Sequence, residues 1–150
     1  MIVIDSDVLL LAFAFSRDER QPVNQQFLSM TTPRAATIYS IMEVLGKLSF
    51  NLSPGYLQQW PMWLQDAYRL NVIFPRVDGQ EAMSCFRREF VESPLQSMMQ
   101  RISYLDALIL QLVAATPGVE MFVTWNARHF AGRSPVRVMT PAEVLAATST

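Results

Sequence analysis

Four apolar residues, Met1-Ile2-Val3-Ile4, run without a break into Asp5-Ser6-Asp7. So short an apolar run, bounded by polar residues, reads as a strand buried on both faces of a parallel sheet. Residues 8–13 then read as a helix, with Arg17-Asp18-Glu19-Arg20 as its solvated end, and residues 22–30 as a second helix that opens on a proline, which a first turn tolerates. Residues 35–38 form a weak strand that leads into a helix over 40–50, whose Met42, Leu45 and Leu48 keep helical spacing. The stretch 51–55, with Pro54-Gly55, breaks it. Residues 56–70 are helical in composition, with Pro61 either kinking or dividing the segment. A third strand is expected over 71–75 and a helix from Gln80 to about Glu92. The strongest helix spans 102–115 and is stopped by Pro117-Gly118. Strands over 121–124 and 136–139 follow, and Thr140-Pro141 starts a last helix. Strands alternating with helices imply crossover connections, hence an α/β fold with a mostly parallel central sheet flanked by helices on both faces. A length of 150 residues fits one domain over 1–150.

Composition narrows the function classes. Hydrophobic residues make up 51% and charged residues 17%, which excludes a disordered charged tail and points to extensive buried or protein-facing surface, with homo-oligomerisation as a natural outlet. A net charge of −1 gives no bulk cationic field, so any nucleic-acid contact must be local. Cys85 is the only cysteine, which excludes an intramolecular disulfide and a zinc-type cysteine cluster and fits a reducing cytoplasm. The first residues carry no basic stretch, and residues 8–15 are too short for a secretory core followed by a span, so no membrane association is expected.

Chemistry concentrates at acids that the topology should gather. Asp5 stands at the carboxyl end of the first strand, where ligand sites of parallel sheets lie, with a second acid, Asp7, two residues on. Such a pair can hold a hard divalent cation or supply a nucleophile; the ordinary alternative is a helix N-cap. Asp106 has Ile102, Ile109 and Leu110 one turn away, so it falls on an apolar face where an unpaired carboxylate would cost several kcal/mol. Capping of a neighbouring loop is its ordinary alternative. Glu43 lies beside the stripe of its helix; it can pair with Lys47, yet Gly46 removes a side chain next to it, as close approach of a substrate requires. Thr124 and Asn126 should emerge at the same sheet edge as Asp5 and orient a metal-bound water, unless Asn126 serves only its turn. Asp5, Glu43 and Asp106 offer oxygen alone, which suits Mg²⁺ or Mn²⁺, and hydrolysis of a phosphodiester is the reaction such a cluster serves best.

These residues resemble the PIN-domain nucleases, especially the VapC-like toxins of toxin–antitoxin pairs. The likeness spans nearly the whole chain and rests on Ile4-Asp5-Ser6-Asp7-Val8-Leu9, Glu43, Ser103-Tyr104-Leu105-Asp106-Ala107-Leu108, Val123-Thr124-Trp125-Asn126 and His129-Phe130, in that order. It implies a three-layer α/β/α fold with a short sheet, a Mg²⁺- or Mn²⁺-dependent ribonuclease with Asp5, Glu43 and Asp106 as metal ligands, and Asn126 lining the same site. It also implies a homodimer and a small antitoxin that occupies the groove. Many members carry an aspartate near position 126, so Asn126 lowers the site's charge and favours one ion over two. Candidates for contact with RNA phosphates are Arg17, Lys47, Arg87, Arg88, Arg101 and Arg128.

Two alternatives remain at the level of sequence. A haloacid-dehalogenase-like phosphatase shares an apolar strand followed by Asp5-Ser6-Asp7, but it needs a downstream lysine and a loop acid pair, and Lys47 is the only lysine. A PIN-like binding module without catalysis is the non-enzyme reading, and it should bind no divalent ion.

Overall fold

The computed structural model of the chain describes residues 1–13, 15, 17–76 and 81–148. Five parallel strands, β1 (Ile2–Ile4), β2 (Arg34–Thr37), β3 (Leu70–Ile73), β4 (Met121–Val123) and β5 (Arg137–Met139), form one sheet in the order β3-β2-β1-β4-β5. The helices among the described residues are α1 (Ser6–Phe13), α2 (Gln21–Leu28), α3 (Ile38–Leu48), α4 (Pro54–Tyr68), α5 (Ala82–Arg87), α6 (Ser93–Met99), α7 (Tyr104–Ala115), α8 (Ala127–Phe130) and α9 (Pro141–Thr148), with a π-helical turn at Arg88–Glu92 between α5 and α6.

Side chains alternate across each strand, and the sheet uses that alternation to build two cores. Ile2 and Ile4 face a core with Val8, Leu9, Phe27, Leu64 and Val123; Val3 faces the opposite one with Ile109, Val113, Phe122 and Phe130. This is the expected α/β/α layering. β1 lies in the middle, paired with β2 through Ile2↔Arg34 and with β4 through Ile4↔Val123. The strand order therefore reverses direction at β1 and β4, and the carboxyl ends of these two strands form the crevice where ligands of open α/β sheets bind.

Several boundaries differ from the expected ones. Pro61 neither divides nor ends its segment: Pro54–Tyr68 is one helix with the proline inside it. The helix expected over 80–92 begins outside the described residues at Gln80; within them it runs as α5, passes through the π-helical turn and continues as α6. The strongest helix starts at Tyr104, because Ser103 takes the N-cap and accepts the Asp106 N–H. Among the described residues no helix is long and apolar enough to cross a membrane.

Arg34 opens β2 as a buried cation, its guanidinium donating to Phe27 O and Leu28 O at the end of α2 and to Tyr68 O at the end of α4 (3.1, 2.7 and 3.4 Å). Carbonyls at helix carboxyl ends favour positive charge, so this side chain pins two helices to the sheet. Arg34→Ala is expected to cost about 2–4 kcal/mol, the scale of losing a buried hydrogen-bond network. Urea denaturation measures it; a loss within about 0.5 kcal/mol, the range of an ordinary surface change, would contradict the pinning role.

Candidate active site

The crevice begins where two strands end. The Asp5 N–H donates to Val123 O (3.0 Å) and the Thr124 N–H to Met139 O (3.0 Å), so both residues prolong the strand pairing and bring their side chains to one edge. Asp5 is buried, and its Oδ1 accepts the Ser6 N–H at 2.7 Å. Ser6 is the first residue of α1, whereas a capping side chain accepts from the second or third, so this is not a standard capping bond. The Ser6 hydroxyl donates to Glu43 Oε2 (2.7 Å), which draws α3 onto α1, and Lys47 Nζ bonds the other oxygen, Oε1, at 2.7 Å. Asp7 Oδ2 accepts the Thr124 hydroxyl (2.9 Å) and the Asn126 N–H (3.2 Å), while its Oδ1 is buried without a partner.

A second layer holds this arrangement. Asn24, fully buried on α2, donates to Val8 O (2.9 Å) and accepts the Trp125 indole N–H (2.8 Å). Trp125 sits between Thr124 and Asn126, so α1, α2 and the loop after β4 are locked around Asp7.

The electrostatics follow from that burial. Loss of water, then the nearby Asp7 charge and then Glu43, push the Asp5 carboxyl up to about 8, against the opposing bonds from Ser6 and Thr124. Burial also raises Asp7, opposed by its bonds to Thr124, Trp125 and Asn126. Two carboxyl groups held toward neutrality, with one buried oxygen unpartnered, form a place that a cation relieves. The donor set is oxygen alone, and in chemistry it fits a hard divalent ion. Among the described residues, however, no three His, Cys, Asp or Glu side chains are placed to hold one ion, since Glu43 is turned to Ser6 and Lys47 and Asp7 to Thr124.

Asp106 differs from its expectation. It is 27% exposed, in the first turn of α7, where its Oδ2 accepts the Ser103 hydroxyl (2.7 Å) and lies 3.5 Å from His129 Nε2. The apolar neighbours Ile102, Ile109 and Leu110 are buried, but a side chain at a helix start leans back past the first turn and reaches water. Its polar contacts are with Ser103 and His129, not with Asp5 or Glu43. Asn126 contributes its backbone N–H to Asp7, and its exposed side chain makes no capping bond to α8. Gly46 borders open space, where an added Cβ would meet nothing within 4 Å, so no close approach demands glycine there.

The basic candidates separate into groups. Lys47 is engaged with Glu43, Arg87 with Glu92 and Arg88 with Glu89. Arg88 also lines a cavity of about 860 Å³ between β3 and α7, bordered by Tyr39, Asn71, Ile73, Phe74 and Gln111 and by none of the candidate acids. Arg17, Arg101 and Arg128 are exposed; Arg101 directly precedes Ile102-Ser103, and Arg128 is next to His129. Asn24 is the site residue that the sequence reading passed over, and Ser6 and His129 entered it only within motifs, without a role. The position of Ser6 between two acids was the one available signal; the roles of the other two depend on contacts across 16 to 101 positions in sequence.

No protein-family model matches the chain, and no curated protein is significantly similar to it. Solved structures are similar in fold. One is a toxin–antitoxin complex from Klebsiella pneumoniae, at 22% identity over 94% of this chain and 98% of that chain, with a TM-score of 0.59. Another is VapBC2 from Rickettsia felis bound to a DNA fragment from its promoter, at 17% identity, 93% and 98% coverage and a TM-score of 0.60. A third is FitAB bound to an IR36 DNA fragment, at 15% identity, 94% and 95% coverage and a TM-score of 0.58. The chain thus has the three-layer α/β/α PIN-like fold that its motifs resemble, the fold of chains found in toxin–antitoxin complexes.

Proposed function

We propose that the protein is a Mg²⁺- or Mn²⁺-dependent ribonuclease and the toxin of a toxin–antitoxin pair. The observation that carries this reading is the pair of buried Asp5 and half-buried Asp7 at the β1/β4 switch point, with Asp7 Oδ1 unpartnered and Asp5 held toward its neutral form. Asp5, Asp7 and Glu43 would hold the ion, with Asp106 completing the acid set. A bound ion supplies positive charge against phosphate oxygens and a more acidic water. The chain's own groups prepare the place: Thr124 and the Asn126 N–H fix Asp7, Ser6 orients Glu43, and Lys47 balances Glu43 until RNA phosphate competes for its ammonium. Arg101 and Arg128 flank Asp106 and His129 in sequence, and together with Arg17 they offer exposed charge to the RNA backbone. In the test, single-stranded RNA is cut with Mn²⁺ present and left whole when chelator is in excess. RNA that stays intact with Mn²⁺ and with Mg²⁺ would overturn the reading.

Exposed large apolar side chains on two pairs of helices support partners. One carries Met42, Phe50, Tyr56, Met62 and Trp63 on and between α3 and α4; the other carries Met83, Phe86, Leu95, Met98 and Met99 on α5 and α6. Surfaces of this kind mark protein contacts, here a second copy of the chain and a small antitoxin. Light scattering of dilute protein is expected to give the dimer mass, and a monomer alone would remove the homodimer.

A further inference from the structure

Resting on the ribonuclease reading above, we infer that Arg20, laid over the Trp125 ring, forms a shelf on which one unpaired base of the RNA stacks beside the acids, so that the substrate is single-stranded at that position. Trp125 stands in the loop after β4, between Thr124, whose hydroxyl bonds Asp7, and Asn126, whose N–H does the same. Its ring packs inward against the core that holds Val8, Leu9 and Phe27. Helix α2 holds it from the other side. Arg20 is the N-cap of α2 and Asn24 lies one turn on, its N–H donating to Arg20 O at 2.9 Å, so the two side chains share a face. Asn24 accepts the indole N–H (2.8 Å), and the Arg20 guanidinium lies over the ring, 5.6 Å from its centroid.

The guanidinium is fixed in its plane yet open to solvent. Its Nε and Nη2 donate to the two oxygens of Asp18 (2.9 and 2.6 Å), and the Arg20 N–H also donates to Asp18 Oδ1 (2.9 Å). This forked pair compensates the charge and sets the orientation. A guanidinium held so is less suited to gathering phosphate than the exposed Arg17, Arg101 and Arg128; what it offers is a flat, weakly hydrated face. Its side chain remains 49% exposed above the ring. The shelf also lies within electrostatic reach of the acid pair: the bond to Asp18 raises the Arg20 guanidinium against its partial burial, and the charges of Asp18 and then Asp7 add to the rise. RNA bases stack on guanidinium planes and on aromatic rings where they are unpaired and splayed out. A duplex keeps its bases in its own stack and has no face to lay on Arg20.

Cleavage of single-stranded oligoribonucleotides in Mn²⁺, with one abasic nucleotide stepped across the positions flanking the cut, tests this. For the wild type, kcat/KM is expected to fall about tenfold when the abasic nucleotide occupies one of these positions, the scale of one stacked base, and little at the others. Arg20→Lys keeps the charge but loses the plane. Its kcat/KM on the intact strand should fall about tenfold through KM, and the abasic nucleotide at the sensitive position should then cost nothing more. A role confined to holding the loop would lower activity on every strand alike and leave the abasic penalty in place. A penalty that survives in Arg20→Lys, or that appears at no position in the wild type, would overturn the shelf and leave the ribonuclease reading standing. No cleavage of any strand by the wild type would remove both.

Discussion

Replacing Asp5 with asparagine is expected to abolish RNA cleavage and, in metal-free buffer, to make the protein more stable. The two effects have one cause. Asp5 is buried beside Asp7 and Glu43, so at alkaline pH the folded chain carries a carboxylate that water no longer solvates and that its neighbours repel. Asparagine keeps an oxygen for the Ser6 N–H but removes the charge. Stability should therefore rise by several kcal/mol above pH 8, the order expected for a carboxyl moved from 3.8 to about 8. Cleavage should fall by about 10³-fold or more, because a metal ion contributes several kcal/mol to a phosphodiester transition state and the neutral amide holds the ion poorly. Gel assays of RNA and urea midpoints in chelator read the two effects. Wild-type cleavage by Asp5→Asn would remove Asp5 from the site, and a loss of stability would show that its charge is compensated in the folded protein.

The second large effect is a dependence of stability on pH that a divalent ion reverses. Asp5 titrates near 8 in the folded chain against 3.8 for an ordinary aspartate. Between about pH 4 and pH 8 the folded chain therefore keeps a proton that the unfolded chain has released, and stability falls as pH rises across that window. The relevant quantity is the difference between wild type and Asp5→Asn, which cancels the titrating groups that do not interact with Asp5 and reports Asp5 together with its neighbours Asp7 and Glu43. That difference should widen in chelator from near zero at pH 4 to its full value at pH 8. Mn²⁺ at about 100 times its dissociation constant should then add about 2.7 kcal/mol to the wild type, most readily at the alkaline end, where no proton has to leave first. A difference that stays flat from pH 4 to pH 8 would contradict the raised Asp5 carboxyl.

What could be read from the chain was decided by how local each signal is. β1, β4 and the long α7 were legible because unbroken apolar runs and helical spacing are carried by neighbours in sequence. The fold followed from their alternation. α6 has no counterpart in the sequence reading, which ends its helix at about Glu92 and resumes at residue 102; Pro94 lies in the first turn of α6, where proline is tolerated. α8 was missed because four residues carry no periodicity. At the site, Asp5 and Asp7 were legible from their place after a buried strand. The exposure of Asp106 was not, since it depends on Ser103, not Ile102, opening the helix. The contacts of Asn24 with Val8 and Trp125, and of His129 with Asp106, join residues 16 to 101 positions apart and leave no trace in local pattern.

Calorimetric titration of the ion-free protein with Mn²⁺ at about pH 6.5 tests the account most directly. Asp5 is still protonated there in the folded chain, so an ion that enters between Asp5 and Asp7 must displace that proton. Repeating the titration in buffers of different ionisation enthalpy should show about one proton released per ion by the wild type and none by Asp5→Asn, whose residual binding should be at least tenfold weaker. Equal affinity and equal proton release in the two proteins would show that the ion, if bound, lies elsewhere and that the Asp5–Asp7 pair is not the metal site.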